Sequence, residues 1–230
     1  MAVGSGSVGS GAEGSGRFIS FEGIDGSGKS TQARLLADAL RAAGRQVVLT
    51  REPGGSPGAD EIRRLVLEGP PDRWSPETEI LLFTAARRDH LEKTIRPALA
   101  RGDTVICDRF ADSTRMYQGL RRGPEGADLR AMVDDLHQRM IGVEPDLTFL
   151  IDIDADTGLS RAVARNTVEQ RFEDMGRDLQ ARMRAGFLDL AKAAPKRIAV
   201  IDGQGSPEAV AAAVLAKALA HLGQTAGPQA

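Results

Sequence analysis

Residues 21–32 read FEGIDGSGKSTQ. The apolar run Phe18–Phe21 precedes them, and a helical pattern opens at Lys29. The segment Gly23-Ile24-Asp25-Gly26-Ser27-Gly28-Lys29-Ser30 fits G-x-x-x-x-G-K-[ST] between a strand and a helix. Its glycines let successive backbone N–H groups face one anion, and the helix N-terminus adds the positive end of its dipole. Lys29 is placed to reach the β- and γ-phosphates, and Ser30 to offer a hydroxyl to Mg2+. Thr31 continues the phosphate-binding stretch into the helix. The pattern implies a bound nucleoside triphosphate. Taken alone, it leaves kinase, GTPase, motor and regulator open.

Working outward, four more short runs rich in β-branched residues read as buried strands: Val47–Thr50, Thr104–Cys107, Leu147–Ile153 and Ile198–Ile201. Helical patterns lie between them, at Lys29–Ala43, Ala59–Leu67, Pro76–Ala100, Leu129–Ile141, about Asp156–Ala193 and Pro207–Leu222. Alternation of this kind predicts an α/β, three-layer P-loop fold with a five-stranded parallel sheet covered on both faces. Ligands in such folds bind beyond the carboxyl ends of the strands.

The third strand closes in Asp108-Arg109. An apolar strand ending in Asp is the usual second half of a Mg2+ site, and Arg109 beside it offers a guanidinium to a second phosphate. The second strand runs into Arg51-Glu52-Pro53-Gly54-Gly55. Two arginines beyond adjacent strands favour transfer between nucleotides over a GTPase switch. Ser75 and Pro76 read as the cap and first position of a helix. Phe83, Arg87 and His90 then share a face at i, i+4, i+7. A ring followed by a guanidinium one turn later can stack on a base and read its edge. A core Phe beside a solvated Arg is the other reading of that spacing. His90 reads as structural, and Cys107 as a buried, inert thiol.

Composition bounds the rest. Thirty Lys+Arg against 32 Asp+Glu leave a net charge of −2, which argues against a general nucleic-acid or membrane-surface binder. A single cysteine excludes an internal disulfide framework and suits a reducing, cytoplasmic setting. No apolar run reaches the roughly 18 residues of a membrane span. Only five of the 30 basic residues are lysine, and arginine forks suit phosphate. Residues 1–16 hold six Gly and four Ser and read as a disordered tail, as do 224–230. Residues 17–223 then form a single domain.

In order along the chain, FEGIDGSGKSTQ (21–32), TREPGG (50–55), LLFTAARRDH (81–90), IRPAL (95–99), DRFADSTRMYQG (108–119), PDLTFLIDI (145–153) and RIAVIDG (197–203) resemble the bacterial type of thymidylate (dTMP) kinase. The resemblance implies a nucleoside-monophosphate-kinase version of the P-loop fold. The reaction it implies is transfer of the γ-phosphoryl of ATP to dTMP, for dTTP and DNA precursor synthesis. It implies Mg2+, a homodimer, and a mobile lid near residues 160–175. By position, Asp25 comes to the acceptor sugar and Mg2+. Arg109 and Arg51 hold the dTMP phosphate, Phe83 stacks on thymine and Arg87 reaches its O4. Ser113, Thr114 and Gln118 lie by the base, and Tyr117 crowds the sugar 2′ position. No residue between Gly23 and Gly28 is basic, so catalytic charge is expected from Arg165 and Arg171 in the lid. The rivals are a kinase for another acceptor and a non-catalytic nucleotide binder.

Overall fold

The computed structural model describes residues 16–70, 72–121, 128–163 and 176–224. Five strands, β1 (Arg17–Glu22), β2 (Val47–Arg51), β3 (Thr104–Asp108), β4 (Leu147–Asp152) and β5 (Ile198–Asp202), form one all-parallel sheet in the order β2-β3-β1-β4-β5. The helices among them are α1 (Lys29–Ala42), α2 (Pro57–Leu67), α3 (Pro76–His90), α4 (Arg96–Ala100), α5 (Ala111–Tyr117), α6 (Arg130–Leu136), α7 (Ala155–Val163), α8 (Gly176–Ala193) and α9 (Pro207–Gln224).

Alternation along β1 divides the core. Ile19 and Phe21 face a layer built with Phe149 and Ile151 of β4, Leu36 and Leu40 of α1, and Val214 and Ala218 of α9. Phe18 turns to the other face, with Val105 and Cys107 of β3, Leu91, Ile95, and Phe110. On that second face Leu150 and Ile198 pack against Met183 and Phe187 of α8. Period-two patterning on buried parallel strands thus places one helical layer on each side of the sheet.

Three helical expectations are corrected. Pro76–Ala100 is not one regular helix: a π-turn at Leu91–Ile95 separates α3 from α4. Pro97, two residues past it, has no N–H to donate, and a widened turn accommodates its ring. Leu129–Ile141 likewise ends in a π-turn, His137–Ile141, closed by Gly142 at φ 63°. The span about Asp156–Ala193 divides into α7 and α8, with 164–175 outside the described residues. Ser75 caps α3 as expected, its hydroxyl accepting from the Thr78 N–H at 3.2 Å.

The chain reverses direction across the sheet between β1 and β3, neighbours in register with Phe21 beside Asp108. Such a reversal leaves a crevice at the carboxyl ends. It brings the loop after β1 and the residues after β3 to one place. Because Ile106 is fully buried at the centre of this sheet, Ile106→Ala should lower unfolding free energy by about 2–5 kcal/mol in urea titrations. A change below about 0.5 kcal/mol would mean the site collapses freely.

Candidate active site

The loop 23–28 passes from β1 into α1 with Gly23, Gly26 and Gly28 all at positive φ. At Gly26 space is also decisive: a Cβ there would lie 2.0 Å from the Gly158 carbonyl oxygen in α7. The Lys29 ammonium folds back and donates to the Ile24 carbonyl at 2.9 Å. Burial pushes the Lys29 ammonium down to about 8, and Arg109 adds to the shift; Asp25, Asp108 and Glu22 oppose it.

Arg109 takes φ 72°, the one positive φ at a non-glycine residue among those described. Its N–H donates to the Phe21 carbonyl at 2.9 Å, so the strained residue is tied to β1. Its guanidinium donates to Ser113 Oγ at 2.9 Å, Tyr117 Oη at 2.9 Å, the Gly23 carbonyl at 3.3 Å and the Asp25 carboxylate. It also lies 4.7 Å from the centroid of the Tyr117 ring. Burial raises the Asp25 carboxyl, but Arg109 and Lys29 outweigh it and hold the group below the usual carboxylate range.

Two residues here went unread in the sequence. Glu22, the last of β1, is buried and accepts from the Phe110 N–H at 2.7 Å and the Ser113 hydroxyl at 2.6 Å. Burial, reinforced by Asp112, pushes Glu22 up to about 7, against the pull of Ser113, Arg109 and the Phe110 N–H. Gln180 of α8 donates to Asp25 at 3.2 Å. The pattern gave no sign of Gln180, which arrives from 155 residues away. Glu22 did carry a signal, a carboxylate closing an apolar strand.

The α3 face forms the other wall. Phe83, Arg87 and His90 are all buried, so the shared face is borne out and the solvated Arg is not. Arg87 donates through Nε to Glu52 Oε2 at 2.7 Å and through Nη2 to Thr114 Oγ1 at 2.9 Å. Phe83 packs in one cluster with Met116 and Tyr117. Gln118 is buried and donates to Glu79 at 3.3 Å.

One cavity of about 880 Å³ is lined by many of these groups. Asp25, Gly26, Lys29, Ser30 and Asp108 line it at the β1–α1 end. Arg51, Phe83, Arg87, Arg109, Ser113, Thr114, Tyr117 and Gln118 line the rest. Gly23, Ile24, Ser27, Gly28 and Thr31 are not among the lining residues. Arg165 and Arg171 lie outside the described residues. Asp108 Oδ1 is buried yet accepts no hydrogen bond from the described residues. An unpartnered carboxylate oxygen beside a phosphate cradle suits a cation.

The family model for thymidylate kinase matches residues 21–214. The chain belongs to the thymidylate kinase family. It is 70% identical over 211 residues to thymidylate kinase from Ruegeria pomeroyi, covering 92% of this chain and 98% of that one. It is 52% identical over 210 residues to thymidylate kinase from Caulobacter vibrioides, covering 90% and 98%. The crystal structure of thymidylate kinase from Ehrlichia chaffeensis superposes with TM-score 0.69 at 38% identity, covering 88% of this chain and 98% of that one. The enzyme is therefore a kinase of the P-loop α/β fold, and the family function is dTMP phosphorylation. No helix among the described residues is long and apolar enough to cross a membrane.

The contact at Gly26 sets a test for the loop. Gly26→Ala places a methyl against the Gly158 backbone at an unfavourable φ. Nucleoside triphosphate affinity, measured by calorimetry, should fall on the order of tenfold or more in a folded variant. Unchanged affinity would show that the loop needs no such close approach.

Proposed function

We propose that this kinase transfers the γ-phosphoryl of ATP to the 5′-phosphate of dTMP, with the two nucleotides meeting at Arg109 and Asp25. The observation that carries the reading is the contact between these two side chains. One belongs to the triphosphate loop; the other follows β3 and donates to Tyr117, which packs in one cluster with Phe83. In the reaction a dTMP phosphate oxygen attacks the γ-phosphorus as the bond to the β-phosphate oxygen breaks, yielding dTDP and ADP. Positioning and charge stabilisation do most of the catalysis in such transfers.

Lys29 and the loop N–H groups hold the β- and γ-phosphates. Arg109 and Arg51 hold the acceptor phosphate, and Asp25 faces the acceptor sugar. Phe83 stacks on the thymine ring, Arg87 donates to its O4, and Ser113, Thr114 and Gln118 border the base. Tyr117 crowds a ribose 2′-hydroxyl. Arg165 and Arg171 supply further positive charge as the lid closes. Asp108 and Ser30 hold Mg2+, a fit supported by the buried, unpartnered Asp108 oxygen. When bound, Mg2+ neutralises phosphate charge. The reading includes a homodimer, supported by Leu65 and Leu81, which stand exposed on the packed pair α2 and α3. It also places the enzyme in the cytoplasm.

A coupled ADP-release assay over dTMP, dUMP, dCMP and UMP tests the reading. The highest kcat/KM should fall on dTMP, and dCMP should fall well below it, because Arg87 would meet an amino donor. Equal kcat/KM for dTMP and dCMP would remove the base-reading role of Arg87.

Lys29 gives a pH test. Its charged form binds phosphate, and in the free enzyme that form is lost as pH rises through about 8. The profile of kcat/KM for ATP should therefore fall on the alkaline side near that pH, since it reports the free enzyme. Lys29→Ala should lower kcat by about 10²–10³-fold and remove this limb. A limb that survives in Lys29→Ala would belong to another group.

A further inference from the structure

We infer that His90 is a positioning residue for base recognition: it anchors Glu52, which fixes the plane of the Arg87 guanidinium. The inference rests on the dTMP reading above.

The geometry is a buried chain of side chains. Thr50 Oγ1 lies 2.7 Å from His90 Nε2, and His90 Nδ1 lies 3.0 Å from Glu52 Oε1. Glu52 Oε2 accepts from Arg87 Nε at 2.7 Å, and Arg87 Nη2 donates to Thr114 Oγ1. His90 is 0% exposed, Arg87 4% and Glu52 5%, so the His90–Glu52 and Glu52–Arg87 bonds lie in buried surroundings that strengthen them. A carboxylate only accepts, so His90 Nδ1 carries the proton toward Glu52. In the neutral ring Nε2 is then the acceptor, and Thr50 donates to it. One tautomer satisfies every link from the β2 end to Arg87.

The chain matters because an arginine with five donors can rotate among partners. Glu52 and Thr114 grip Arg87 at Nε and Nη2, which fixes the plane of the guanidinium on the wall of the cavity that Arg87 lines. Glu52 itself sits on the loop after β2. Without His90 its second oxygen would lose its side-chain partner, and the carboxylate could swing about its own axis. The loop is fitted to this one ring. A Cβ at Gly55 would lie 2.4 Å from Thr50 Oγ1 and 2.5 Å from His90 Nε2. Thr94 donates to the Gly55 carbonyl at 2.7 Å, and Ser56 donates to Asp89 at 2.6 Å. The residues flanking His90 therefore hold the same loop.

Glu52, His90 and Cys107 also bring three possible metal-ligating atoms within 4.8 Å of one another. Both His90 ring nitrogens are already engaged, Arg87 is paired with Glu52, and the Cys107 thiol donates to the Arg109 carbonyl at 3.0 Å. The cluster is a hydrogen-bond relay, not a metal centre.

The test compares full-length His90→Asn, His90→Gln and His90→Leu. An Asn amide reaches the place of Nδ1 and can still donate to Glu52; a Gln amide reaches the place of Nε2 and cannot. KM for dTMP should rise on the order of tenfold in His90→Gln and His90→Leu, with a smaller fall in kcat and little change in KM for ATP. The preference for dTMP over dCMP should shrink alongside, and His90→Asn should recover most of both. A purely structural His90 would lower the melting temperature of all three variants and leave KM for dTMP and base preference alone. That result overturns the inference. Should His90→Leu fail to fold, the Asn–Gln contrast decides the matter, read as the dTMP dissociation constant by calorimetry. A wild-type enzyme without dTMP-dependent turnover would instead overturn the reading on which the inference rests.

Discussion

The site depends on one strained residue. Arg109 adopts φ 72°, a conformation that costs a side-chain-bearing residue on the order of 1–3 kcal/mol. The surrounding structure holds it there by a backbone bond to Phe21 and by side-chain bonds to Asp25, Ser113 and Tyr117. Had the chain stayed extended past β3, the guanidinium would project from a face of the sheet and not across its end to the triphosphate loop. The parallel pairing of β1 with β3 makes the crossing short, since Phe21 and Asp108 are register partners.

The same neighbourhood buries charge at every level. Glu22, Glu52, Lys29 and Arg87 are each less than one-tenth exposed. Each is paired or hydrogen-bonded, which is the condition under which buried charge is tolerated. An apolar replacement of such groups is often as stable as the ionic original, so their retention here is best explained by the geometry they impose. Glu22 fixes Ser113, Ser113 accepts from Arg109, and Arg109 meets Asp25. On the other wall Glu52 orders Arg87.

Much of this was legible in the chain. Strand periodicity and the strand–loop–helix context of 23–30 gave the parallel sheet and the phosphate cradle, because burial on both faces leaves near-continuous apolar runs. The shared face of Phe83, Arg87 and His90 followed from helical spacing. The spacing did not say which way that face turned; tertiary packing decided it. Glu52 was visible only as a charge beside a Pro-Gly-Gly loop, since its partners, Arg87 and His90, lie 35 and 38 residues away. Gln180 had no local signature at all. The π-turn at Leu91–Ile95 was hidden because apolar periodicity barely changes across one widened turn.

The central claim is that Asp25 and Arg109 act as one unit joining the two halves of the cavity. A double-mutant cycle on kcat/KM for dTMP, using Asp25→Asn, Arg109→Lys and the pair, measures that directly. The account expects strong non-additivity, with a coupling energy of about 1–3 kcal/mol. Additivity within about 0.5 kcal/mol would contradict it, and would mean that the loop and the end of β3 serve their phosphates independently.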